Sequence, residues 1–120
     1  MEKNLMIKLD ITVQPKSEKY LEFSQSLESI KPALEHCCTS LQIKESNKIF
    51  SIIILFDSVS QLRTAIHSKK FGIFSGAIKT LAERSDLTIN GVEQKKERTL
   101  LKEIRRNFLK KAKKQSLNEI

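Results

Sequence analysis

A chain of 120 residues with a formal net charge of +8 is long enough to bury one core without disulfides or a structural metal, and short enough that a single domain is expected. It holds no apolar run long enough for a membrane span or a secretory signal, so a cytoplasmic protein is expected. Its two cysteines, adjacent at Cys37 and Cys38, form neither a disulfide framework nor a spaced metal-ligand pair. The charge is segregated: residues 1–93 carry 12 Lys/Arg against 11 Asp/Glu, whereas residues 94–120 carry 10 against 3. A nearly neutral domain over 1–93 is therefore followed by a basic tail over 94–120.

In chain order, Leu5, Ile7, Leu9, Ile11 and Val13 alternate with Met6, Lys8, Asp10 and Thr12, which predicts a strand with one buried face. Pro15 ends it. Ser17 is a candidate cap for a helix over about 18–36, whose apolar positions are Phe23, Leu27, Ile30 and Leu34. Pro32 falls inside that pattern and should kink or shorten the helix. Cys37 and Cys38 read as small residues entering a second strand, with a redox role as the alternative. In that strand Leu41 and Ile43 alternate with polar residues. Glu45-Ser46-Asn47 supplies a turn.

The run Lys48 to Asp57 is apolar on both alternating faces, with Phe50, Ile52, Ile54 and Phe56 on one and Ile49, Ile53 and Leu55 on the other. It predicts a central strand, paired with the second strand as a hairpin. Ser58 with Gln61 forms a capping-box pattern for a short helix carrying Leu62, Ala65 and Ile66. Ser68 caps the next helix, whose buried stripe Phe71, Phe74, Ile78 and Leu81 carries it to about residue 84. Asp86 to Val92 reads as the last strand.

Strand, helix, hairpin, helix pair, strand is an α+β, ferredoxin-like order: an antiparallel sheet with helices on one face. The second apolar face of the central strand would then be uncovered, so a homodimer built sheet to sheet is expected.

The segments HCCTSLQI, NKIFSIIILFDSVSQL, IHSKKFGIFSGAIKTL and DLTI, in that order, resemble the antibiotic biosynthesis monooxygenase family of dimeric α/β barrels over about residues 5–92. The resemblance implies cofactor-independent oxygenation of a small aromatic or quinol-like compound, with no metal and no bound cofactor. It also implies where site residues should stand. Ile54 and Phe56 occupy positions where many members keep a Glu and a Trp, and Ala65 and Lys70 stand where members often place His. The haem-degrading branch would need Asn, Trp and His at Leu9, Ala65 and Ser75, so haem chemistry is not expected. These departures leave a second reading open: a non-catalytic ligand-binding or interaction module that keeps the fold. The residues leave both an enzyme and a non-catalytic module open.

An apolar pocket between sheet and helices is expected to be lined by Leu9, Ile11, Ile54, Phe56, Ala65, Phe71, Phe74 and Ser75, against the simpler reading that these residues fill the core. His67 is the one weak candidate for a catalytic base, provided that it is buried beside a carboxylate. The plain alternative is a surface imidazole at a helix end, and His36 reads as a helix C-terminal cap.

The tail, 94–116, reads as a basic amphipathic C-terminal helix with an apolar line at Leu101, Ile104, Phe108 and Ala112. Lys102, Arg105, Arg106, Lys110 and Lys113 are its candidate polyanion contacts. Docking on the protein's own dimer is the favoured use of this helix. An anionic membrane surface and nucleic acid are alternatives that are not favoured.

Overall fold

The computed structural model describes residues 6–91 and 98–104. Leu5 and Val92, and in the tail residues 94–97 and 105–120, among them Arg105, Arg106, Phe108, Lys110, Ala112 and Lys113, lie outside the described residues. Four strands, β1 (Ile7–Pro15), β2 (Ser40–Ser46), β3 (Ile49–Phe56) and β4 (Ala82–Asn90), form one antiparallel sheet in the order β2-β3-β1-β4. Three helices, α1 (Tyr20–Cys37), α2 (Val59–Ile66) and α3 (Lys69–Leu81), complete the ferredoxin-like α+β arrangement.

The core lies between the helices and one sheet face. Ile7, Leu9, Ile11 and Val13 of β1, Phe50, Ile52, Ile54 and Phe56 of β3, and Leu87 and Ile89 of β4 are all buried. Against them pack Phe23, Leu27, Ile30 and Leu34 of α1, Leu62, Ala65 and Ile66 of α2, and Phe71, Phe74, Ile78 and Leu81 of α3. The alternating positions of β3 therefore separate as expected, with Ser51, Ile53 and Leu55 half-buried and Ile49 exposed on the other face. Asp10 lies on that second face, paired across the ladder with Ile53 and Thr88.

Several boundaries depart from the sequence pattern, each for a physical reason. Ser17 does not cap α1; it begins a 3₁₀ turn, Ser17–Lys19, from which α1 continues. Pro32 does not end α1, because its ring faces solvent and Leu34, two residues on, is buried. One lost backbone hydrogen bond is outweighed by that burial. Cys37 closes α1 and Cys38 caps it, so neither enters β2.

The hairpin turn is the pair Asn47-Lys48, one residue later than its polar run suggests, with φ of 54° and 64°. Positive φ at both central residues is the geometry that matches the twist of paired strands. Lys48 Nζ sits 5.6 Å from the centre of the Tyr20 ring, which itself stacks on Phe50. Finally, α3 stops at Leu81 instead of near 84, and β4 starts at Ala82 instead of Asp86. The Lys16 N–H donates to Leu81 O at 2.9 Å and Pro15 pairs with Ala82. Pairing with β1 thus takes residues 82–85, which the helical stripe had reached.

The steps into α2 and α3 follow the capping signals. Ser58 Oγ accepts the Gln61 N–H at 3.1 Å, and Ser68 Oγ accepts the Phe71 N–H at 3.2 Å while donating to Ala65 O at 2.7 Å. Among the described residues, no helix is long and apolar enough to cross a membrane.

Candidate functional site

A groove of about 540 Å³ runs between α1 and α3 on the helical side of the molecule. Its floor is apolar: Phe23, Leu27 and Ile30 from α1 and Phe74 from α3. The spacing that points these residues toward the sheet also leaves their upper edges open between the two helices. Ser26, Ser29 and Ala33 on α1 and Ala77 on α3 are too small to close the space across it. Ile73 stands on the wall at 59% exposure, a large aliphatic side chain left in water. Glu22 and Gln25 on one side and Lys70 on the other form a polar rim.

Glu22 accepts from Lys19 Nζ at 3.4 Å, an exposed pair of little energetic weight. With apolar floor and polar rim, the groove can hold an apolar body and orient one polar substituent.

Solved structures share this architecture. A candidate antibiotic biosynthesis monooxygenase from Nitrosomonas europaea superposes with a TM-score of 0.66 at 10% identity, over 78% of this chain and 96% of its own. One of the same designation from Caulobacter crescentus gives 0.64 at 16% identity, over 76% of this chain and 92% of its own. A conserved protein from Bacteroides thetaiotaomicron, for which oxidoreductase activity has been suggested, gives 0.67 at 18% identity, over 75% of this chain and all of its own. This chain has the antibiotic biosynthesis monooxygenase-like fold. No family profile and no curated protein sequence matches it, so the likeness is one of fold.

Within the monooxygenase-like fold the eight pocket residues predicted between sheet and helices are all buried. Phe74 alone of that set also lines the groove. Phe71 and Phe74 meet edge to face, with ring centres 5.5 Å apart. Ser75 donates to Gly72 O at 3.1 Å, so its hydroxyl is engaged within its own helix. Leu9, Ile11, Ile54, Phe56 and Ala65 belong to the same packed core.

His67 is exposed at the C-terminal end of α2, its backbone N–H donating to Arg63 O at 3.2 Å. The burial that would make it a poised base is not there. His36 lies exposed in the last turn of α1. Lys70 is exposed on the groove rim. Among the described residues, no three His, Cys, Asp or Glu side chains cluster closely enough to hold a metal ion.

The adjacent cysteines are placed as thiols. Cys37 Sγ donates to Ala33 O at 3.4 Å and Cys38 Sγ to Leu34 O at 3.2 Å. Burial pushes the Cys38 thiol above its usual pKa, and neighbouring Cys37 adds to this. At the negative end of a helix, that protonated state is the expected one.

Residues 98–104 are helical, and Leu100 and Ile104 are 1% and 0% exposed in the domain's core. Leu101, expected on the apolar line, is only half-buried, so the inward line begins at Leu100. Lys102 is exposed. Arg63 Nε of α2 approaches Glu103 Oε1 at 3.5 Å.

The groove is not legible in the apolar stripes, because its lining mixes core residues with small and polar ones. The readable signals were Ile73, which falls outside the 71-74-78-81 stripe of α3, and the small residues Ser26, Ser29 and Ala33 on α1.

Proposed function

We propose that this protein binds a small, largely apolar aromatic compound in the groove between α1 and α3, and that binding without acid–base chemistry of its own is its activity. The observation that carries the reading is the apolar floor of Phe23, Leu27, Ile30 and Phe74 beside the water-exposed Ile73. A second observation supports it. The positions where the resemblance would place Glu, Trp and His hold Ile54, Phe56, Ala65 and Lys70, and among the described residues no buried acid or imidazole lines the groove. A solvated carboxylate is a weak base for abstracting a substrate proton.

A cofactor-independent monooxygenase is the second reading, favoured by the designations of the Nitrosomonas and Caulobacter structures. An electron-rich quinol can react with oxygen once it is positioned and deprotonated, so few residues are required. One experiment separates the two. A panel of quinols and hydroxylated aromatics is screened for thermal stabilisation and, in parallel, for oxygen consumption. Stabilisation without oxygen uptake supports binding alone; oxygen uptake that follows protein concentration supports the oxygenase and overturns the first reading.

The same proposal includes a homodimer formed through the open sheet face. Ile49, at 37% exposure, and the half-buried Ile53 and Leu55 form an apolar strip in the middle of that face. At roughly 25 cal/mol per Å² of apolar surface removed from water, covering such a strip favours association. Light scattering at micromolar concentration should give twice the subunit mass, and the mass of one subunit would refute the dimer.

A further inference from the structure

Residues 98–104 place Leu100 and Ile104, one helical turn apart, in the domain's core beside α2, and set the Glu103 carboxylate against the Arg63 guanidinium. An apolar body with a single carboxylate at its edge is the shape of a small apolar carboxylic acid. We infer that this segment is a displaceable internal stand-in for such a ligand: an aryl or branched-alkyl monocarboxylate takes the space of Leu100 and Ile104 and pairs with Arg63 in place of Glu103.

Two observations make the segment displaceable. Its polar tie is loose, because Glu103 Oε1 is enclosed yet accepts no hydrogen bond among the described residues, and its approach to Arg63 is 3.5 Å. An enclosed carboxylate oxygen without a donor is better solvated after release. The remaining side chains favour water in either state: Arg98 and Lys102 are exposed, and residues 94–120 carry the chain's excess of positive charge.

Release also exposes what a ligand would need. Arg63 keeps a fork of N–H donors that suits a carboxylate in two-point contact. Leu62, Ala65 and Ile66 of α2 are buried in the same apolar core as Leu100 and Ile104. This site is separate from the α1–α3 groove and does not depend on it.

The test uses the full chain with 2-naphthoate as probe and 2-naphthalenemethanol as its neutral counterpart. Titration is followed by calorimetry and by hydrogen exchange of the amides of residues 98–104. Naphthoate should bind and should lower amide protection at 98–104, and the neutral alcohol should bind about tenfold more weakly for want of the charged contact. Glu103→Gln weakens the internal competitor and should tighten naphthoate binding, whereas Arg63→Met should weaken it by about tenfold. Ile73→Glu, in the other groove, should leave it unchanged. No binding, binding that leaves 98–104 protected, or equal affinities across the wild type, Glu103→Gln and Arg63→Met would each overturn the inference. Should either variant lose cooperative melting, the wild-type exchange experiment decides alone.

Discussion

The side-chain carbonyl of Gln61 accepts the backbone N–H of Asp57 at 2.6 Å while the Gln61 backbone N–H donates to Ser58 Oγ at 3.1 Å. The pattern is a capping box shifted by one residue, because the reciprocal bond reaches the residue before the cap. Gln61 Oε1 also accepts from Thr39 Oγ1 at 3.3 Å, joining the start of β2 to the end of β3 and α2. Replacing Gln61 with Ala leaves Asp57 N–H without this acceptor, at a cost of about 1–2 kcal/mol. Thermal unfolding of Gln61→Ala should show a melting temperature lower by several degrees, and Gln61→Glu, which keeps an acceptor, should recover most of the loss.

Gly91 follows β4 at φ 97°, and a β-carbon there would run into the carbonyl oxygen of Met6. Both the dihedral and the approach require glycine. Gly91→Ala should cost about 1–3 kcal/mol, read as a lower denaturant midpoint with an unchanged slope. By contrast, Gly72 and Gly76 have open space around a β-carbon. Gly76→Ala within α3 should be stabilising by up to about 1 kcal/mol through helix propensity.

Tyr20 is the chain's one tyrosine, so its phenol can be titrated by ultraviolet absorbance without interference. A hydrogen bond to Glu45, with burial and the Glu45 charge adding to it, raises its pKa above the usual value near 10. Because the folded value is the higher one, the associated stability is fully present below the unfolded pKa and is lost as pH rises through the folded pKa. The phenolate absorbance should therefore appear at higher pH in the native protein than in urea. Glu45→Gln should bring the native midpoint down toward that of the unfolded chain.

Ile73 tests the groove. At 59% exposure it contributes little to the core, so Ile73→Glu should change stability by no more than about 0.5 kcal/mol. A charge on the wall of an apolar groove should nonetheless abolish the thermal stabilisation given by aromatic ligands there. Unchanged ligand shifts in Ile73→Glu would move the binding site elsewhere.

Local pattern was enough for the elements, because each carries its own period. The alternation along β1 predicts a strand with one buried face, the apolar run of β3 predicts the central strand, and Ser58 and Ser68 announce α2 and α3 through their own hydroxyls. It failed where a partner decides. Residues 82–85 extend a helical stripe on paper, yet the open edge of β1 claims them as strand. Pro32 should interrupt a helix taken alone, but Leu34 anchors the turn beyond it.

The candidate site was less legible than the fold. The sequence by itself determines which side chains must leave water, since that depends on their chemistry and period alone. The buried faces of β1 and β3 and the stripes of α1 and α3 follow from it. Only the tertiary structure decides what remains between those elements, because a groove depends on the distance and angle at which two helices lie. The groove floored by Phe74, and the placing of Leu100 and Ile104 beside α2, arise from contacts between residues far apart in the chain. No window of sequence contains both partners of such a contact.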